Sequence, residues 1–170
     1  LDPIDSQDAV SKSYLLNLIN QLQAQIKYLQ KNLSVMPANE CIDGNAGEYE
    51  CQGVDLMSSV GLEDLGATMA NDCWGWTDML TGREYAIIGL DNGTAFIDIT
   101  IPNLPVIIGK LPTQTVASTW RDIKVFGNYA YIVSEADNHG MQVFDLTHLR
   151  ETTTYTAVSY THLTLPTNGC

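Results

Sequence analysis

One short segment holds the densest group of side chains that could do chemistry. It reads Glu135-Ala-Asp-Asn-His-Gly140 and carries two carboxylates and an imidazole within five positions. Carboxylates with a histidine form a common ligand set for divalent metals, and the same groups can act as a general base. The sequence therefore predicts that Glu135, Asp137 and His139 supply ligands if a divalent metal binds. The alternative is a polar hairpin whose Asp and Asn side chains bond the turn backbone.

Two further polar residues, Arg121 and Asp122, are expected beside this segment. In a four-stranded antiparallel unit, the loop between strands two and three opens on the same side as the loop that enters strand one. Arg121 and Asp122 follow that entering loop, so we predict a binding face built from them together with Glu135, Asp137 and His139. No catalytic residue is predicted, and the sequence gives no clear indication of a cofactor beyond that possible metal.

Seven short β-rich runs must position these residues. Gly, Asn, Asp and Pro separate the runs, and no helical stretch lies between them, which predicts antiparallel pairing. The predicted strands are Asp72–Thr77, Glu84–Leu90, Gly93–Thr100, Val106–Leu111, Thr119–Phe126, Tyr129–Ser134 and Gly140–Thr147.

The strands contain an internal repeat. Tyr85-Ala-Ile-Ile matches Tyr129-Ala-Tyr-Ile at an offset of 44 residues, and Phe96-Ile-Asp-Ile-Thr matches Val143-Phe-Asp-Leu-Thr at an offset of 47. The first strand can be matched either by pairing Trp76 with Trp120 or at an offset of 50. We favour the offset of 50, because residues 77–82 have the composition of a turn.

A period of 40–50 residues with four strands is typical of a β-propeller blade. The predicted fold is therefore all-β, a fragment of a β-propeller with about two four-stranded antiparallel blades. Residues 69–157 form the partial propeller, with blade one at 72–111 and a partial blade two at 119–147. Residues 38–68 form a Cys-stapled loop segment, and residues 1–37 a helical arm and linker.

The arm has a helical pattern from residue 5 to residue 33. Its apolar residues alternate between spacings of four and three, which is the seam of a coiled coil with Ile at a and Leu at d. The seam consists of Leu15, Ile19, Leu22, Ile26, Leu29 and Leu33. One interpretation is self-association through helix 5–33. The other is an amphipathic helix that lies on the protein's own surface.

Cysteine and charge usage narrow the function classes. Cys41 and Cys51 flank a polar, Gly-containing loop, which favours a disulfide, although two unpaired thiols in a reducing compartment are the alternative. The net charge is −12 and the basic residues are not clustered, which argues against nucleic acid and anionic membranes as partners. No apolar run is long enough to predict a membrane span.

Other recurring or aromatic positions have structural explanations. Asp98 and Asp145 occupy the same position in the two copies of the repeat, and each precedes a Thr by two positions. This predicts a structural role, either capping a turn or bonding the next strand. Trp74, Trp76 and Trp120 could line a sugar-binding face, but packing between blades is the favoured interpretation.

Residues 40–150 resemble the choice-of-anchor B family of LVIVD-repeat proteins. The resemblance rests on segments such as Asn71-Asp-Cys-Trp-Gly-Trp-Thr-Asp, Asn92-Gly-Thr-Ala-Phe-Ile-Asp and Ser134-Glu-Ala-Asp-Asn-His-Gly-Met-Gln-Val-Phe-Asp-Leu. The family pattern usually has Pro where Glu50 stands. The resemblance implies an exported, surface-anchored β-propeller of unsettled biochemistry. Our prediction for its function is a binding or scaffold module at the cell surface with an unknown ligand. The alternative is a metal-assisted hydrolase whose other ligands lie in further blades.

The C-terminal segment departs from this pattern. Residues 158–167 resemble a translated sequencing adapter, so we predict that residues 158–170 are a non-native tail. His162 and Cys170 consequently carry no functional argument.

Overall fold

The computed structural model describes residues 38–150, six positions between 12 and 22, and the backbone of 156–157 and 162–163. The chain divides into two units, Leu1–Ser34 and Val35–Cys170. The six described positions of the first unit, Lys12, Leu15, Leu16, Ile19, Asn20 and Leu22, are helical. The remainder of the predicted helix 5–33 and its self-association lie outside the described residues.

Within its described residues the second unit is all-β, as predicted, and forms three sheets. The strands are β1 (Asn45–Ala46), β2 (Tyr49–Glu50), β3 (Ala70–Thr77), β4 (Glu84–Leu90), β5 (Gly93–Asp98), β6 (Val106–Pro112), β7 (Arg121–Phe126), β8 (Tyr129–Ser134), β9 (Met141–Asp145), β10 (Thr156–Ala157) and β11 (His162–Leu163). A short 3-10 helix, Leu146–Arg150, follows β9.

Two of the sheets carry the repeat. The first sheet has the order β10-β6-β5-β4-β3 and the second has the order β11-β9-β8-β7, while β1 and β2 form a separate hairpin. All strand pairs between residues 38 and 150 are antiparallel, and β10 joins β6 in parallel. The fourth strand of the second sheet, β11, lies in the tail that was predicted to be non-native.

The pairing registers of the two sheets coincide. Cys73 pairs with Ile88 in the first sheet, and Ile123 pairs with Ile132 in the second. The partners are therefore offset by 50 residues on the first strand (123 minus 73) and by 44 on the second (132 minus 88). This confirms the alignment with the offset of 50, and the chain turns between β3 and β4 as that alignment requires.

The two sheets pack face to face around one apolar core. Each sheet has two faces. The face of the first sheet that contacts the second sheet is called its front face, and the face of the second sheet that contacts the first sheet is called its back face. The front face contributes Trp76, Tyr85, Ile87 and Phe96, and the back face contributes Ile123, Ala130, Ile132 and Phe144. Phe96 stacks on Phe144 with ring centroids 4.5 Å apart, which is a favourable aromatic separation.

The back face of the first sheet is covered by residues 58–66. Ser58 donates its hydroxyl hydrogen to the Pro102 carbonyl oxygen at 2.7 Å, and Lys110 Nζ donates to the Leu65 carbonyl oxygen at 3.1 Å. Leu65 is buried, and a cavity of about 300 Å³ remains between this segment and Ile88 and Ile97 of the sheet. Residues 58–66 thus cover the apolar back face of the first sheet, as a neighbouring sheet would.

The predicted disulfide is present. Cys41 and Cys51 are bonded, with Cα atoms 5.9 Å apart, around the β1–β2 hairpin. Gly47 lies between these strands at a φ of 64°, a left-handed conformation that glycine adopts without a steric penalty. Cys73, by contrast, is an exposed free thiol.

Candidate functional site

Arg121 lies at one end of the junction between the two sheets. It begins β7, and its side chain is fully buried. Its Nε donates to the Leu90 carbonyl oxygen at 2.9 Å and its Nη2 to Thr113 Oγ1 at 2.8 Å. Its Nη1 faces Gln142 Oε1 at 3.5 Å and His139 Nε2 at 3.3 Å. The guanidinium therefore joins the end of β4, the loop before β7, and β9 with its preceding loop.

Neutral acceptors surround this cation. None of the ion pairs within residues 38–150 includes Arg121. Burial lowers the pKa of its guanidinium, while the charge of Asp91 opposes that shift. A buried Arg with neutral partners is costly to desolvate, and the hydrogen bonds of its side chain offset part of that cost.

His139 is the second buried polar group of the junction. It is 3% exposed, and its Nδ1 lies 2.9 Å from Thr115 Oγ1. A guanidinium has only donors, so Nε2 must accept from Arg121 and the ring proton must lie on Nδ1, which donates to Thr115. A metal would have to bind the lone pair on Nε2 of His139, and in this arrangement that lone pair accepts the hydrogen bond from Arg121.

The other predicted site residues do not join this pair. Asp122, Glu135 and Asp137 are exposed to solvent. Within the described part of the chain, no three His, Cys, Asp or Glu side chains lie close enough to hold a metal ion, so Glu135, Asp137 and His139 do not form such a cluster here. A metal site completed by side chains from further blades stays a prediction.

The junction also contains two residues that the sequence interpretation did not select as site residues. Asn71 Oδ1 accepts from the Arg121 backbone N–H at 2.9 Å, and Asp72 Oδ2 accepts from the Ile123 N–H at 2.7 Å. These bonds attach the first strand of one sheet to the first strand of the next. The repeat could have indicated these two residues from the sequence, because Asn71 and Asp72 occupy the same positions in the first copy as Arg121 and Asp122 in the second.

A charged pair fastens the opposite end of the junction. Arg150 donates to both carboxylate oxygens of Asp78, at 2.8 and 2.6 Å, and Asp78 is fully buried. The Arg150 hydrogen bonds hold the pKa of Asp78 far below its ordinary value, and Asp78 in turn raises the pKa of Arg150. This bidentate pair connects the 3-10 helix after β9 with the turn after β3.

The repeated Asp-x-Thr positions have the same geometry in both sheets. Asp98 Oδ1 accepts from the backbone N–H and the hydroxyl of Thr100, and Asp145 Oδ1 does the same with Thr147. Burial tends to raise the pKa of Asp145, but the bonds from Thr147 outweigh that effect and lower it. The predicted turn-capping role is confirmed.

The three tryptophans have different environments. Trp76 is buried in the core and stacks on Tyr85 with centroids 5.3 Å apart, which confirms the packing interpretation for this residue. Trp74 is 39% exposed and lies under Lys124, whose Nζ is 4.5 Å from the ring centroid. Trp120 is 56% exposed.

Searches of protein-family models, of curated proteins and of solved structures found no match to this chain. The resemblance to the choice-of-anchor B family therefore stays a prediction based on the quoted segments. Among the described residues, no helix has the length and apolar character needed to cross a membrane.

Proposed function

We propose that this chain is part of an exported β-propeller of the LVIVD type, which acts as a binding or scaffold module at the cell surface. The observation that supports this most directly is the burial of the Arg121 and His139 side chains between the two sheets. The guanidinium and the imidazole are the groups of the predicted site that could bind an anion or hold a metal. Both side chains are buried, and their hydrogen bonds join one sheet to the next. Their role is architectural.

The repeated sheets support the propeller part of the proposal. Two sheets with the same strand pairing pack face to face, with their first strands β3 and β7 side by side. Packing of successive four-stranded sheets in this manner is how propeller blades are arranged. The disulfide is compatible with an extracellular location, because such bonds persist in oxidising compartments.

The surface left for binding is acidic. Asp122, Glu135 and Asp137 are exposed near the same end of the second sheet, and the whole chain carries a net charge of −12. A surface of this kind favours neutral or basic partners over polyanions.

A pair of variants separates the scaffold function from the metal-assisted hydrolase. His139→Ala should destabilise the junction, because Arg121 Nη1 then loses an acceptor. The double variant Glu135→Ala, Asp137→Ala changes only exposed side chains and should leave stability within about 0.5 kcal/mol.

Both variants and the unmodified chain are then titrated with Ca²⁺, Zn²⁺ and Mn²⁺ in a calorimeter. The scaffold function predicts no stoichiometric heat that depends on these three residues. Saturable binding that disappears in the double variant and in His139→Ala would instead support the metal-dependent alternative.

A further inference from the structure

The cavity between residues 58–66 and the first sheet is large for a protein interior and almost wholly aliphatic. Interiors are close-packed and contain few voids larger than a water molecule, yet this cavity has a volume of about 300 Å³. No charged side chain lines it within residues 38–150. The floor contributes three aliphatic side chains and the cover, residues 58–66, contributes three more, namely Ile88, Ile97 and Ile99 from the floor and Val60, Leu62 and Leu65 from the cover.

Hydrogen bonds fix the cover at both of its ends, which hinders the cavity from closing by collapse. At one end the Ser58 hydroxyl donates to the Pro102 carbonyl oxygen at 2.7 Å. At the other end the Gly66 carbonyl oxygen accepts from Asn92 Nδ2 at 2.8 Å and from Lys110 Nζ at 2.9 Å. A void that cannot close leaves its lining atoms without partners on one side, and a molecule of matching shape restores those contacts.

The size and openness of the cavity determine which molecules fit. It is partly open to solvent, and two of its lining residues, Leu62 and Ala70, are exposed. A small molecule can therefore enter without unfolding of the cover. An apolar cavity of about 150 Å³ takes a benzene molecule, so a cavity of twice that volume takes an aliphatic molecule of about ten carbon atoms.

The lining also determines the polarity of the ligand. Without a charged side chain in the lining, an ionised group would lose its water and gain no partner, which is costly. Ser58 is the one polar residue among the lining side chains between residues 38 and 150. Its hydrogen is donated to Pro102, but its oxygen can still accept a hydrogen bond. The lining therefore suits a neutral molecule with a single hydroxyl group.

We propose that this cavity is a binding site for a neutral aliphatic alcohol of about ten carbon atoms. The alkyl chain lies between the floor and the cover, and the ligand hydroxyl donates to Ser58 Oγ. The inference rests on the cover and the first sheet alone, so it depends on neither the scaffold function nor the acidic surface of the second sheet.

The test follows the isoleucine methyl groups of the full chain by NMR while 1-decanol is added. Ile88 and Ile97 line the cavity, whereas Ile123 and Ile132 lie in the core between the two sheets and serve as internal controls. The methyl signals of Ile88 and Ile97 should shift saturably, and those of the controls should stay unchanged. Decanoate, the ionised analogue at neutral pH, should bind at least about tenfold more weakly, because its carboxylate would be desolvated without a partner.

Two substitutions fill the cavity. Val60→Phe enlarges a half-buried side chain of the cover, and Ala70→Leu enlarges an exposed one at the rim. Each should weaken 1-decanol binding at least about tenfold, because the added carbon atoms occupy the space of the alkyl chain. Val116→Phe is the matched control, since it is the same change as Val60→Phe at a position that is 75% exposed. It should leave binding unchanged, and Ala70→Leu keeps the test decisive if Val60→Phe does not fold.

Absence of saturable shifts at Ile88 and Ile97 up to the solubility limit of 1-decanol would overturn the proposal. Undiminished binding in the folded filling variants would do the same, because the alcohol would then bind elsewhere. Binding of decanoate as tight as that of 1-decanol would refute the neutral class of ligand. None of these results would alter the metal titrations that test the proposed function.

Discussion

Gly89 allows the backbones of the two sheets to approach closely, and adding one methyl group there should loosen their junction. A Cβ at this position would stand 2.7 Å from the Arg121 carbonyl oxygen and 3.4 Å from that of Asp72. Both contacts are with backbone, which cannot rotate away as a side chain can. The Arg121 oxygen must move until the contact reaches an ordinary separation, and this moves β7 away from β4.

The size of the effect follows from two opposing contributions. Overpacking at a buried site costs about 1–3 kcal/mol. Replacing Gly by Ala also restricts the unfolded chain, which stabilises the fold by about 0.4–1 kcal/mol. The net expectation for Gly89→Ala is a loss of about 1–2 kcal/mol, which corresponds to a factor of about 5–30 in the opening equilibrium of the junction.

Amide hydrogen exchange measures this opening directly. The N–H groups of Arg121 and Ile123 donate to Asn71 Oδ1 and Asp72 Oδ2 across the junction. Their protection factors should fall by about 5–30-fold in Gly89→Ala.

Gly75→Ala is the matched control, because no heavy atom lies within 4 Å of its added Cβ. It should leave the protection of both N–H groups unchanged or slightly higher. If Gly89→Ala also leaves their protection unchanged, the close approach of β7 to Gly89 is wrong.

Three further outcomes are expected. Peptide mapping without reduction should recover Cys41 linked to Cys51, and free thiols at both positions in secreted material would contradict this. Because the folded pKa of Asp78 lies below its ordinary value of about 3.9, its carboxylate stabilises the fold above that pH. The free energy of unfolding should decrease as the pH falls below that ordinary value. In Asp78→Asn the free energy of unfolding should depend less steeply on pH in this acidic range. If the helical arm self-associates, Ile19→Asp with Ile26→Asp should convert a dimer to a monomer in sedimentation, whereas a monomeric unmodified chain would contradict the prediction.

Local features of the chain determined much of the fold. Strand positions, turns and the repeat could be predicted, because alternating apolar residues and turn residues act over a few positions. The offset of 50 in the first strand could be chosen for the same reason, since residues 77–82 favour a turn whatever lies around them. The disulfide followed from two cysteines that flank a short loop.

The sequence also placed the candidate polar residues near the correct end of the second sheet. It could not show which of them would face solvent. Arg121 and Asp122 are adjacent and both polar, yet one is fully buried and the other exposed, since β-strand neighbours point to opposite faces. The choice between them depends on which face the first sheet covers.

Only the tertiary structure decided the chemistry of the junction. The acceptors of Arg121 come from Leu90, Thr113, His139 and Gln142, between 8 and 31 residues away, and Asn71 and Asp72 reach across 50 and 51 residues to β7. No local pattern specifies such partners, because they meet only after two sheets have packed. His139 is therefore a buried partner of Arg121, although in the sequence it lies beside Glu135 and Asp137, whose carboxylates are exposed to solvent.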